Sequence, residues 1–332
     1  MKSKAIVFPQ ASTVTIGEID LPQPRAGEVI TKTLYTGVST GTELRVLVGK
    51  QVGGVFPLIP GYENIGEVFE LGEGVDLAKG VRVFTSNHWS TAPYNSCFGA
   101  HVEYGLFKAA ELFPIPENID LVDAVFAKTS AIALHGIQRG RVTAQDKVAV
   151  VGLGLIGQLA AQIAKARGAT VIAIDTLDDR LEAAKQAGVD FTINAAREDV
   201  EQTVRKLTDG GVDVAIDVTG VASVVDQTCR LLPIKGWDPD PPYPPSGRLV
   251  ILGSYTEPVA FSFRPSLFSI EPDIFPSRDC TPVDIREALG LIASGAIRPR
   301  SIPTTVVSFQ EAAQAYAALR DRTAVRVVFQ WG

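Results

Sequence analysis

Val148-Ala149-Val150-Val151-Gly152-Leu153-Gly154-Leu155-Ile156-Gly157, followed through to Asp175, decides the fold of this chain. Residues 148–151 are apolar with β-branched side chains and read as a buried strand. Residues 158–167 carry apolar side chains at helical spacing and stop before Gly168. Residues 170–174 read as a second buried strand, ending on Asp175. Strand, G-x-G-x-x-G, helix, strand and acid form the dinucleotide-binding fingerprint in the context it requires.

Each part has a physical reason. Gly152 permits the tight turn out of the strand. Gly154, lacking a side chain, lets a pyrophosphate approach the backbone, and Gly157 lets the helix pack closely on the sheet. Leu155, Ile156 and Gly157 open the helix, where unpaired N–H groups and a partial positive charge suit phosphate. Asp175 can accept both hydroxyls of an adenosine ribose and would repel a 2′-phosphate, so NAD is expected over NADP. Arg180 complicates that preference and Asp178 and Asp179 offset it. The alternatives are a glycine-rich turn with no ligand and, for Asp175, a helix cap.

The 332 residues suit one or two domains, and 46% hydrophobic with 20% charged residues is ordinary globular composition. A net charge of −6 without a long basic run argues against nucleic-acid binding. No apolar stretch approaches about 18 residues, so no membrane span is expected. The N-terminal apolar run breaks at Pro9-Gln10 and reads as a first strand rather than a signal segment. Cys97, Cys229 and Cys280 are widely spaced and odd in number, which points to a reducing cytoplasm without a disulfide framework.

Up to about residue 121 the chain reads as many short strands between Gly/Pro turns: 5–8, 14–19, 29–36, 65–70, 80–84 and 101–104, with a short helix up to about 48. Residues 85–99 form a polar loop with His88 and Trp89. From 122 helices alternate with strands at 148–152, 170–175, 191–193, 212–217 and 248–253. Residues 233–247 are a proline- and aspartate-rich insertion, either a disordered surface loop or a lid or subunit contact. A helix at 283–294, one at 309–320 and a closing strand at 325–329 are expected to complete the first domain. The expected division is 1–121 with 280–332 as one domain and 122–279 as a doubly wound parallel-sheet domain.

The chain resembles the medium-chain dehydrogenase/reductase family, in its zinc-type alcohol and polyol dehydrogenase branch. The resemblance rests on Pro60-Gly61-Tyr62-Glu63-Asn64-Ile65-Gly66-Glu67-Val68, Gly41-Thr42-Glu43, Ala131-Ile132-Ala133-Leu134-His135 and the Gly152 fingerprint. It implies an α/β fold: a GroES-like, partly open β-barrel catalytic domain with a Rossmann domain. It also places Thr219 and the Gly253-Ser254 pair near the adenosine and nicotinamide sides, and by analogy a homodimer or homotetramer is expected.

The departures set the chemistry. Where the zinc enzymes of the family have a cysteine before the Gly-Thr-acid segment, Ser39 or Thr40 stands here. Their Pro-Gly-His-Glu histidine is Tyr62, and the polyol branch's glutamate seven residues before His135 is Lys128. Hydroxyls and an ammonium are not zinc ligands, so a zinc-free member with no metal residues is expected. The resemblance then implies hydride transfer with Tyr62 exchanging a proton with the substrate oxygen, Lys128 supplying positive charge, Ser39 and Thr40 orienting or relaying, and Glu63 fixing Lys128 or Tyr62. Each has a plainer alternative: Tyr62 packed under the cleft, Lys128 solvated, Ser39 and Thr40 shaping a turn, Glu63 pairing with a structural base, His135 packed in its helix. Arg45 stands about where the family's relay histidine lies and either binds cofactor or faces solvent.

The expected function is an NAD-dependent oxidoreductase acting on a secondary alcohol or ketone, with a polar, polyol- or sugar-like small molecule as substrate. The alternatives are an NADPH-dependent enone or quinone reductase, disfavoured by Asp175, and a non-catalytic cofactor-binding sensor, favoured by the missing metal ligands. A transient oxidation within a larger reaction fits the same residues.

Overall fold

The apolar run of the fingerprint forms the strand Lys147–Val151, the third of six parallel strands in one sheet. The spatial order is Phe191–Asn194, Thr170–Asp175, Lys147–Val151, Val214–Asp217, Arg248–Ile251 and Asp273–Pro276. The order reverses between Lys147–Val151 and Val214–Asp217, which are paired to each other. Ligands of open α/β sheets bind at the carboxyl ends of strands at such a reversal. The helices Leu155–Ala166, Asp178–Gln186, Val200–Thr208 and Ala222–Cys229 connect the strands. Leu159, Ala160 and Ile163 of the first of these are fully or almost fully buried, as expected for an apolar helical face laid on a sheet.

The remaining strands belong to a second unit, built around a mixed sheet of the GroES-like type. Glu28–Gly37 lies at its centre, antiparallel to Asn64–Leu71 on one side and to Tyr104–Lys108 and Arg326–Gln330 on the other. Arg82–Thr85 and Phe113–Pro114 extend the sheet, and Lys2–Val7 pairs with Thr15–Asp20. One core packs Phe8, Leu58, Tyr316 and Phe329 together, so the C-terminal segment fills space beside the first strand. The computed structural model describes residues 1–86, 91–236 and 246–332. His88, Trp89 and residues 237–245 of the insertion lie outside the described residues.

The chain divides into two compact units, Met1–Lys128 with Ile285–Ala293 and Ile302–Gly332, and Thr129–Asp284 with Ser294–Ser301. The sequence reading put its boundaries at 121/122 and 279/280, where the pattern of apolar residues changes. Packing changes later, inside the helices Ala127–Arg139 and Pro282–Ala293.

Among the described residues five strands escaped the sequence reading: the two-residue strands Leu58–Ile59, Asn95–Ser96 and Phe113–Pro114, and two longer ones. Asp273–Pro276 is four residues long and ends on proline, and Thr304–Ser308 follows a proline and has one exposed valine, Val306. Neither shows the alternation that marks a half-buried strand. The strand expected at 101–104 begins instead at Tyr104. His101 and Val102 approach the first strand only through the bond from Ile6 N–H to the His101 carbonyl and a single bridge between Val102 and Ala5. Among the described residues no helix is long and apolar enough to cross a membrane.

Candidate active site

In the parallel-sheet unit, Gly152 takes a φ of 91° at the end of its strand, a conformation natural to glycine. A Cβ on Gly157 would collide with the Gly152 carbonyl, so the helix can begin this close to the turn only with glycine there. A Cβ on Gly154 would meet nothing within 4 Å. The space in front of Gly154 is therefore open, and the N–H groups of Leu155, Ile156 and Gly157 open the helix beside it.

Asp175 is buried at the end of the neighbouring strand. One of its oxygens accepts from Leu153 N–H at 2.7 Å and from Arg180 at 3.3 Å; the other accepts from Thr176 N–H at 2.7 Å and Leu177 N–H at 3.1 Å. It thus ties the glycine turn to the second strand. Arg180, which complicated the expected preference for NAD, is paired with this carboxylate.

Across the reversal, Asp217 is fully buried. It accepts from Thr219 N–H and Oγ1, from Tyr255 OH at 2.5 Å and from Thr228 Oγ1 at 2.6 Å. Gly253 N–H donates to the Asp217 carbonyl at 3.0 Å. These bonds gather Thr219, Gly253 and, at the surface, Ser254. Burial, then the charge of Asp217 and the bond to it, hold the Tyr255 phenol above the usual tyrosine range.

In the mixed-sheet unit, the Tyr62 hydroxyl bonds the Ser39 hydroxyl and also Thr42. Ser39 caps the helix Thr40–Leu47, and Tyr62 lies in the turn after Gly61. Burial first, then the charge of Glu63 and, more weakly, Glu43, pushes the Tyr62 phenol well above its ordinary range. The bonds to Ser39 and Thr42 act in the opposite direction. Tyr62 is thus held as a neutral phenol. The Phe98 ring stands edge-on to it at 5.1 Å.

Other expected site residues are placed differently. Thr40 donates to the Val325 carbonyl at 3.2 Å, which anchors the helix start to the C-terminal segment. Glu63, expected to fix Lys128 or Tyr62, instead forms a fully buried ion pair with Arg326, the structural base of the alternative reading. Lys128 is half-buried in the first turn of Ala127–Arg139. His135 bonds the Asp284 carboxylate at 3.1 Å, and Arg45 reaches Thr42 and Gln51 at 3.4 Å.

The sequence reading missed Glu43, His101 and Tyr316 as members of this site. Glu43 was read only as part of a motif. A lone histidine and a helical tyrosine far along the chain carry no spacing that links them to Tyr62. Among the described residues no group of three or more His, Cys, Asp and Glu side chains is gathered to hold a metal ion.

Residues 25–117 match the alcohol dehydrogenase GroES-like domain, and residues 156–237 match the zinc-binding dehydrogenase family. The chain is 30% identical over 271 residues to L-threonine 3-dehydrogenase of Pyrococcus horikoshii, covering 74% of each chain. It is 29% identical to sorbitol dehydrogenase of Halalkalibacterium halodurans, covering 98% of each. A solved Escherichia coli CFT073 structure, described as a short-chain alcohol dehydrogenase complexed with NADH, shares the fold at a TM-score of 0.84. The two sequences are 24% identical, with 99% of each chain covered.

Proposed function

The chain belongs to the zinc-type medium-chain dehydrogenase/reductase family, and from that premise we propose that it is an NAD-dependent oxidoreductase working without catalytic zinc. Its substrate is a secondary alcohol or the corresponding ketone, in a polar, polyol- or sugar-like molecule. The observation that carries this reading is the bond between the Tyr62 and Ser39 hydroxyls. Tyr62 stands where the family's zinc enzymes carry histidine, and Ser39 or its neighbour Thr40 where they carry cysteine.

Zinc does not fit this donor set. A serine hydroxyl and a phenol whose ionisation is pushed up by burial and by Glu63 are poor ligands for a cation that prefers thiolate, imidazole or carboxylate. Lys128 adds a positive charge instead of a ligand.

A nicotinamide dinucleotide does fit. The open space at Gly154, the helix-opening N–H groups of Leu155, Ile156 and Gly157, and Asp175 would hold its pyrophosphate and ribose. When bound, the nicotinamide supplies the hydride acceptor or donor. Tyr62 hydrogen-bonds the substrate oxygen and exchanges its proton, Ser39 holds the phenol in place, and Lys128 offsets the negative charge on that oxygen. The buried thiols Cys97 and Cys229, the latter pushed up to about 11 chiefly by burial, suit the cytoplasmic location we propose.

The test is metal analysis of the purified protein with NADH and NADPH titrations, followed by turnover on D-sorbitol, 2,3-butanediol and their ketones. NAD-linked turnover without bound zinc is expected. Stoichiometric zinc needed for turnover overturns the metal-free reading, and NADPH-linked reduction of enones in place of ketones overturns the substrate class.

A further inference from the structure

Beneath Tyr62 lies a buried polar cluster that the proposed reaction leaves unassigned. Glu43, in the helix Thr40–Leu47, is fully buried. Its Oε1 accepts from Ser39 N–H at 2.7 Å, while Oε2 accepts from His101 Nε2 at 2.9 Å and Tyr316 OH at 2.5 Å. On the other side of the imidazole, Nδ1 faces Thr36 Oγ1 at 2.7 Å, and that oxygen accepts from Trp331 Nε1 at 2.9 Å. An indole only donates. Thr36 is therefore free to give its hydroxyl proton to Nδ1, which leaves the Nε2 proton directed at Glu43.

His101 has no exposure to solvent. Its ring lies where a Cβ on Gly61 would stand, one residue before Tyr62, and edge-on to Phe329 at 5.5 Å. Imidazole and carboxylate thus grip both sides of the site: His101 packs under the Gly61–Tyr62 turn, and Glu43 holds the Ser39 backbone. A buried network in which each member is satisfied is rigid, and one member removed leaves the rest costly.

We propose that Glu43 and His101 are a positioning pair for Tyr62, holding its hydroxyl on Ser39 as a hydrogen-bond donor. The proposal rests on the reading of Tyr62 as the proton-exchanging group. Glu43 touches neither the phenol nor the space before it; it acts through Ser39 and through its charge. The ionisable groups around Tyr62 are Glu43 and Glu63, with His101, Tyr316 and Cys97 against the first and Arg326 against the second. The two carboxylates push the Tyr62 ionisation upward, so neutralising Glu43 must bring it down.

The test needs no substrate. The ultraviolet difference titration between the wild type and Tyr62→Phe isolates the Tyr62 tyrosinate. The same difference taken in the Glu43→Gln background should begin to titrate at lower pH, before the chain unfolds. His101→Phe, which removes the donor and leaves the Glu43 charge in place, should displace the titration in the opposite direction, upward, and His101→Gln, which keeps one N–H, should restore most of it. NADH binding, followed by fluorescence, should stay within about twofold in each variant, because the dinucleotide cradle is built from other residues.

An unmoved Tyr62 titration in both Glu43→Gln and His101→Phe overturns the proposal. If Glu43→Gln does not fold, the comparison of His101→Phe with His101→Gln decides alone. Failure of the underlying reading shows separately, as Tyr62→Phe retaining full turnover in the alcohol screen.

Discussion

The Glu63 carboxylate and the Arg326 guanidinium form an ion pair from which solvent is excluded on both sides. Arg326 also donates to the Val38 carbonyl and lies 4.9 Å from the Phe126 ring centroid. Removing the base alone strands a buried carboxylate, at a cost of about 3–5 kcal/mol. Arg326→Met should lower unfolding stability by that amount in urea titrations. Adding Glu63→Leu should recover most of the loss, because no buried charge is then left unpaired.

Gly154 separates cofactor binding from folding. Its φ of −67° and ψ of −171° are open to any residue, and a Cβ there meets no protein atom within 4 Å. Gly154→Ala should therefore leave the melting temperature unchanged while weakening NADH binding by about tenfold or more, roughly 1.4 kcal/mol. Fluorescence titration checks the affinity and calorimetry the stability. Unchanged affinity would mean that no pyrophosphate lies against this turn.

The proposed preference for NAD over NADP is tested at Asp175 and Arg180. The carboxylate already accepts from Arg180, so a 2′-phosphate meets both a repelling acid and an attracting base. Asp175→Ser should free Arg180 and raise the NADP:NAD ratio of kcat/KM by about tenfold or more. In the same background Arg180→Ala should reverse the gain. The ratios from initial rates with either cofactor decide the matter.

The buried phenols fix how stability responds to alkali. Burial, then the charge of Glu43 and the bond to it, hold Tyr316 well above its ordinary value of 10.0. The folded chain thus keeps a proton that the unfolded chain releases above about pH 10. Between that point and the raised folded value the unfolded state binds fewer protons, so stability falls as pH rises, by about 1.4 kcal/mol per pH unit for such a group. Urea midpoints at about pH 9 and pH 11 should diverge less in Tyr316→Phe than in the wild type, although that variant is weaker at both.

Tyr62→Phe removes one oxygen from the Ser39 pair and leaves the dinucleotide cradle intact. Turnover should drop by about 10²–10⁴, the usual worth of a positioned acid or base, with NADH affinity retained. Lys128→Met should likewise lower kcat and spare NADH binding. Single-turnover absorbance at the NADH band reports both, and full activity in either variant removes that residue from the proposed chemistry.

The sequence by itself determined the parallel-sheet unit and its nucleotide turn. It also carried the family resemblance against which Ser39 or Thr40, Tyr62 and Lys128 were read as departures. The nucleotide unit is legible because its requirements are local: a glycine at a turn, a helix start one residue on, an acid at the end of the next strand. The identities of Ser39, Tyr62 and Lys128 are equally local, being read from short motifs.

Only the tertiary structure decided what surrounds Tyr62. Glu43 meets His101 across 58 residues and Tyr316 across 273, and Glu63 meets Arg326 across 263. Such partners are chosen by packing, which brings distant elements to one point and requires each buried charge or donor to find a complement there. No spacing in the chain encodes that meeting, so the residues that hold the phenol are visible only once the strands and the C-terminal helix are folded around it.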